Sequence, residues 1–207
     1  MALNRLLNLN LPKVRMAALA AEGERAAAGA AHADNVAPAI FGGLTLIKSY
    51  DPLDILDLPS PDMEFLLVVP RGIPKTTKQA RAVIPKSVAI RDMITHIAGT
   101  ATLVAGLLKS DPVLVGRAMM ADSVIEPARS ALYPGYLKAK RAALSAGALG
   151  VTLSGAGPTV IAVVDPSKDP SEVAKAIGEA FESEAIGCDS YRTRPTGGAR
   201  VLEQSKS

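Results

Sequence analysis

GVTLSGAGPTVIAVVD, residues 150–165, is the stretch on which the reading of this 207-residue chain turns. Two short apolar runs rich in valine and isoleucine flank SGAGPT. Two glycines and a proline cannot continue a strand or a helix, so the stretch reads as two strands around a glycine loop. Downstream, DPSEVAKAIGEAFESE has the apolar spacing of an amphipathic helix, and last strands are expected near Cys188 to Arg192 and Ala199 to Leu202. Upstream, MEFLLVVP is too short and too β-rich for a helix and reads as a buried strand. Helices fill the interval. PKTTKQARAVI is a short one with threonine at its start. Ser87 to Lys109 is a long one, with apolar positions Ile90, Met93 or Ile94, Ile97, Ala101, Val104 and Leu108. Another starts at Asp111 and Pro112, a capping side chain followed by a proline in the first turn. IEPARSALYPGYLKAKRAALSAGALG holds a turn and a helix that ends at glycine. Strands, then helices, then paired strands argue an α+β fold.

The first part of the chain has a different texture. Ala2 to Leu9 is helical in pattern but has no cap. Asn10 and Pro12 restart a helix that is rich in alanine and stops at Gly29. HADNVAPAIFGG, residues 32–43, follows, and then GGLTLIKSY, a strand after a double glycine. Asp51 to Pro61 is a proline-rich connector and the best boundary candidate.

Composition narrows the classes. The chain is 48% hydrophobic, which suffices for a real core, but only 3% aromatic, so that core is aliphatic. A net charge of +3 without a run of basic residues does not favour nucleic acid or a membrane surface. No apolar run approaches a membrane span. The single cysteine, Cys188, excludes an internal disulfide and a cysteine-rich metal site, as befits a reducing compartment.

Several residues are candidates for chemistry. Glu24 has Ala21, Ala20 and Ala17 behind it and Ala28 ahead, a stripe on which another element can approach closely. A carboxylate there is costly unless it is paired or binds a cation; the plain alternative is a solvated helix edge. Glu22, three residues from Arg25, is in an ordinary surface ion-pair position. His32, Asp34 and Asn35 form a polar cluster, for which the plain alternative is an Asx turn or helix cap. His96, within the long helix, reads as structural. Arg81 and Arg129 each follow a helix-start signal among apolar residues, and an arginine fork suits a carboxylate or phosphate. The plain alternatives are a surface arginine at 81 and an i,i+3 pair with Glu126 at 129. The SGAGPT loop, Ser154 to Thr159, is a hairpin turn or an anion-facing backbone; it is neither a P-loop nor a dinucleotide fingerprint.

Taken together and in order, GERAAAGAAHADNVAPAIFGG, TTKQARAVIP, VIEPARSALYPG and GVTLSGAGPTVIAVVD resemble the homoserine kinases of the GHMP small-molecule kinase superfamily over nearly the whole chain. The resemblance implies ATP-dependent phosphorylation of the side-chain hydroxyl of L-homoserine, in threonine biosynthesis, with Mg2+ as the metal. It implies a GHMP-like arrangement, with residues 1–58 the last part of the N-terminal domain and 62–207 a ferredoxin-like C-terminal domain. The family's phosphate loop, of the type P-x-x-x-G-L-G-S-S-A, is not in the sequence. The expectation is therefore an N-terminally truncated kinase with little activity of its own, Met1 standing in for an interior residue.

Carried over by position, the resemblance makes Glu24 the magnesium ligand and His32 and Asp34 homoserine contacts. Arg81 and Arg129 hold the amino acid, with Thr77 nearby. Ser154, Gly155, Ala156 and Gly157 lie toward the nucleotide phosphates. Asn35 stands where several relatives carry a catalytic aspartate. An amide is no general base, so catalysis by positioning and charge stabilisation is implied. The resemblance also implies a cytoplasmic enzyme, or a plastid one if the source is a plant, and leaves room for a homodimer. Two competing readings are a non-catalytic amino-acid-binding module of the same fold and another GHMP kinase. HADN argues against a mevalonate-type site, which would favour aspartate at position 35.

Overall fold

Asn10, at φ +51°, and Pro12 separate two helices, α1 (Ala2–Leu6) and α2 (Lys13–Ala28). The structure is a computed structural model that describes residues 1–28, 32–73 and 77–202, so Gly29 lies outside the described residues. It divides into two compact units: the chain up to Pro61 with the tail from Pro195, and Asp62–Arg194. In the first unit α2 packs on α3 (Val36–Phe41), and the described buried residues of this pair are all alanines, Ala17, Ala21 and Ala37, with Ala33 just ahead of α3. Small side chains of this kind let two backbones come close.

The strand expected in GGLTLIKSY is β1 (Leu44–Tyr50). Its antiparallel partner is β2 (Leu53–Leu58), paired from Leu44 opposite Leu58 to Tyr50 opposite Leu53 with a register shift between Ile47 and Ser49. This corrects the reading of 51–61 as a plain connector. The prolines at 52, 59 and 61 only flank LDILDL, where Leu53 and Ile55 alternate with Asp54 and exposed Leu56. The tail does not form the strand expected at 199–202. It docks by single bonds instead: Gly43 N–H donates to Thr196 O and Ala199 N–H to Ala39 O, each at 2.8 Å, with one bridge between Gly42 and Gly197.

The second unit runs β3 (Phe65–Pro70), α4 (Thr77–Ala82), α5 (Ile90–Lys109), α6 (Pro112–Met119), α7 (Ile125–Ser130), α8 (Tyr136–Ser145), β4 (Ala148–Leu153), β5 (Val160–Val164), α9 (Pro170–Glu182) and β6 (Cys188–Thr193). The sheet order β4-β5-β3-β6 is antiparallel throughout, which is the ferredoxin-like arrangement. Both of its faces are covered. Leu66, Val68, Val151, Leu153, Val160 and Ala162 pack with Tyr136 and Ala139 of α8 and Ile177 and Phe181 of α9. On the other face Val163 packs with Val115 and Met119 of α6, joined by Leu103 and Leu107 of α5. A bulge between Ala148 and Gly150 shifts the register of β4, so Ala148 and Val151 both reach the first face despite opposite parity.

Two features set the helices. Asp111 accepts from the N–H groups of Val113 and Leu114 at 3.0 Å and so caps α6, as the sequence predicts. Gly116 of α6 lies directly on β4, where a Cβ would come within 2.5 Å of Leu149 O. The periodic apolar positions of α5 are not its packed side: Ile90, Ile94 and Ile97 are 60–66% exposed, while Leu103, Gly106 and Leu107 face α6.

Candidate active site

The predicted residues divide between the two units. In the first, Glu24 is half-buried, one turn beyond buried Ala17 and Ala21, and its carboxylate has no partner among the described residues. Glu22 instead pairs with Arg25 at 2.9 Å on the surface, and that bond holds its carboxyl below the usual range. Asp34 and Asn35 are exposed in a turn ahead of α3. Asn35 occupies the N-cap position without a side-chain cap bond, so the capping alternative is not realised there. His32 is half-buried, and its Nε2 is fully buried with no hydrogen-bond partner among the described residues. A buried imidazole nitrogen without a hydrogen-bond partner costs about 1–3 kcal/mol, which a ligand group can recover.

In the second unit, Thr77 and Arg81 are exposed on α4, and Arg81 has no side-chain partner among the described residues. Arg129 is committed. Its Nε donates to Ala80 O at 3.2 Å and its Nη1 to Gly155 O at 2.9 Å, so one guanidinium ties α4 to the glycine loop. Ala80 O belongs to the last turn of α4, where helix carbonyls lack intrahelical donors. Nη2 has no acceptor among the described residues and can offer both of its protons to one.

The pairing alternative for Arg129 fails because Glu126 points inward. Its buried carboxylate accepts from Tyr136 Oη at 2.5 Å, from Lys140 Nζ and from Thr152 Oγ1 at 3.3 Å. Burial, and then this carboxylate, push the Tyr136 phenol far above its ordinary value. Asp122 caps α7 by accepting from the N–H groups of Val124, Ile125 and Glu126 at 2.8–2.9 Å. His96, read as structural, lies with Nε2 3.0 Å from Asp122 Oδ1, without hydrogen-bond alignment.

The loop from Ser154 to Thr159 closes on itself: Ser154 N–H donates to Thr159 O at 2.8 Å and Gly157 N–H to Ser154 O at 3.0 Å. Gly157 sits at φ +83°, and a Cβ there would lie 2.9 Å from Tyr133 Cζ, so both conformation and space demand glycine. Tyr133 Oη donates to Ala156 O, and burial raises its pKa. Sequence reasoning did not select Tyr133, Asp122 or Glu126. One signal was present: two of the chain's four tyrosines stand three residues apart in YPGY. A cavity of about 560 Å3 opens beside α4, lined by Gln79, Tyr133, Leu132, Ile73, Ile186 and Arg71.

Among the described residues no three His, Cys, Asp or Glu side chains are grouped to hold a metal ion. Glu24 is a carboxylate with no partner among the described residues, one turn beyond buried Ala21. That fits Mg2+, which keeps waters and phosphate oxygens and takes only one or two protein carboxylates. No helix among the described residues is long and apolar enough to cross a membrane.

Small-molecule kinases of the GHMP type share this architecture. The sequence matches the GHMP kinases N terminal domain over residues 1–43 and the GHMP kinases C terminal family over residues 103–183. It is 40% identical to the homoserine kinase of Halorubrum lacusprofundi over 203 residues, 98% of this chain and 67% of that one. It is 43% identical to the homoserine kinase of Chlorobium phaeobacteroides over 180 residues, 87% of this chain and 56% of the relative. The crystal structure of homoserine kinase from Cytophaga hutchinsonii superposes with a TM-score of 0.87 at 40% identity, over 97% of this chain and 64% of that one. The chain belongs to the homoserine kinase family. It spans a little over half the length of the Chlorobium relative.

Proposed function

We propose that these residues serve transfer of the γ-phosphoryl group of ATP to the side-chain hydroxyl of L-homoserine, giving O-phospho-L-homoserine and ADP for threonine biosynthesis in the cytoplasm. The observation that carries this reading is His32, whose buried Nε2 lacks a partner among the described residues, beside exposed Asp34 and an Asn35 that makes no side-chain cap bond. In this reading His32 and Asp34 hold the hydroxyl and ammonium ends of the amino acid. Arg129, through Nη2, which has no acceptor among the described residues, and Arg81 hold its carboxylate.

The hydroxyl oxygen forms a bond to the γ-phosphorus as the bond from that phosphorus to the bridging oxygen breaks and ADP leaves. The Asn35 amide cannot take the proton, which passes to solvent or to a phosphoryl oxygen. Asn35 orients the hydroxyl as a hydrogen-bonding neighbour. Glu24 would hold Mg2+, which when bound neutralises charge on the phosphates.

The test is calorimetric titration of the chain with L-homoserine and with L-2-aminobutyrate, which lacks only the hydroxyl. A site built around that hydroxyl favours homoserine strongly, because the analogue leaves polar groups unpaired. Equal affinity for the two, or no binding of homoserine, defeats the reading.

A further inference from the structure

Among the described residues, the side chains that hold the Ser154–Thr159 loop by hydrogen bonds both come from the segment that follows Asp122. Arg129 Nη1 donates to Gly155 O at 2.9 Å. Tyr133 Oη donates to the next carbonyl, that of Ala156. A trans peptide points its carbonyl and the following N–H in opposite directions. Fixing Gly155 O toward Arg129 therefore turns the Ala156 N–H away from α7. Neither that N–H nor the Gly155 N–H has a hydrogen-bond partner among the described residues, whereas the Ser154 and Gly157 N–H groups are both used within the loop. Gly155 itself is exposed, with open space where a Cβ would stand.

We propose that Tyr133 is a positioning residue for this loop: it fixes the Ala156–Gly157 peptide, whose N–H holds Ser154 O and so turns the Gly155 N–H the other way, while Arg129 fixes the Gly155–Ala156 peptide, and together they aim the Gly155 and Ala156 amides at an anionic phosphate group. Adjacent backbone amides in a glycine turn form a concave site for such an anion. The ring of Tyr133 also explains Gly157, since it occupies the space a side chain there would need. Arg129 shares its guanidinium between the loop and α4, while Tyr133 serves the loop alone. The two residues therefore separate by experiment. The inference rests on the proposed phosphate-facing role of the loop and adds the side chain that sets its geometry.

The experiment follows the Gly155 and Ala156 amides of the 207-residue chain by NMR during titration with inorganic tripolyphosphate, and separately with L-homoserine. Tyr133→Phe keeps the ring and loses one hydrogen bond. It should weaken the tripolyphosphate response at these two amides roughly three- to tenfold and leave the homoserine response unchanged. Tyr136→Phe loses a more deeply buried hydroxyl away from the loop; it should lower the melting temperature and leave tripolyphosphate binding intact. Wild-type tripolyphosphate affinity in Tyr133→Phe overturns the proposal. So does a parallel loss of both ligands together with stability, which marks a merely structural tyrosine. Silence of the two amides in the wild-type chain overturns it as well, by removing the anion site. The homoserine titration in the same samples still judges the acceptor residues by themselves.

Discussion

Glu126 and Lys140 form a buried ion pair beneath the helix that carries Arg129, and breaking it should be expensive. Their side chains are 6% and 16% exposed. Glu126→Gln conserves shape and an acceptor for Tyr136 Oη, but removes the charge opposite Lys140. Removing one partner of a buried pair typically costs 3–5 kcal/mol. Lys140 retains some access to water and a flexible stem, which lowers the expectation to about 2–4 kcal/mol. Lys140→Met leaves the carboxylate with the Tyr136 and Thr152 hydroxyls, so about 2–3 kcal/mol is expected. The double variant leaves no unpaired charge and should cost only about 1 kcal/mol, far less than the sum of the two.

The assay is urea unfolding read from amide signals of residues 62–194, because a global signal would mix two compact units. A Glu126→Gln cost below about 0.5 kcal/mol, or additive singles, would show that the pair is not held as described. The functional corollary is local. Loosening α7 releases Arg129, so homoserine affinity should fall in Glu126→Gln and return in the double variant.

Two glycines make opposite predictions for the same substitution. In α9, Gly178 has open space where a Cβ would stand, so Gly178→Ala should raise stability by about 0.5–1 kcal/mol through helix propensity. In α6, Gly116→Ala gains the same propensity but drives a Cβ into Leu149 O at 2.5 Å. Overpacking of about 1–3 kcal/mol should win, and thermal unfolding that ranks the two the other way refutes the packing argument. Alkaline stability follows from Tyr136. Its folded pKa is raised from 10.0 by burial and by Glu126, so the unfolded chain ionises first. The contribution is full below pH 10 and is lost as pH rises above it; melting temperatures of Tyr136→Phe should decline less steeply there than those of the wild type.

What the sequence makes legible is mostly local. The Asp111–Pro112 helix start, the strands around SGAGPT and the Glu22–Arg25 pair need only neighbours in the chain, and all are present. The strand β2 is obscured because prolines at 52, 59 and 61 crowd a six-residue alternation. The periodic stripe on α5 marks a helix but not its buried side, since Gly99 and Gly106 are the positions that approach α6 and the segment after it. The site follows the same division. The residue types at His32, Asp34, Asn35 and Arg129 can be read directly. The inward turn of Glu126 toward Lys140, 14 residues away, and the contact of Tyr133 with Ala156, 23 residues away, join separate elements and leave no local pattern in the sequence.

That division bears on the two arginines, which sequence alone treats as equals. Arg81 is exposed and has no side-chain partner among the described residues, so a ligand must order its whole chain of torsions. Arg129 is already fixed by two carbonyls and presents Nη2 without further ordering. Preorganisation therefore favours Arg129 by the rotamer entropy that Arg81 must surrender, about 0.5–1.5 kcal/mol. Arg81→Lys keeps a mobile cation near the same place and should weaken homoserine binding only about three- to tenfold. Arg129→Lys cannot reach Ala80 O, Gly155 O and a carboxylate with one ammonium. It should cost about 1.5–3 kcal/mol, or roughly ten- to a hundredfold. It should also speed amide exchange at Gly157, whose loop loses an anchor, whereas Arg81→Lys should not. The double variant should lose less than the sum, if both groups act on one carboxylate as proposed. If Arg81→Lys is the more damaging of the two, or Arg129→Lys binds homoserine normally with an unchanged loop, then the bonds to Ala80 and Gly155 do not preorganise the site.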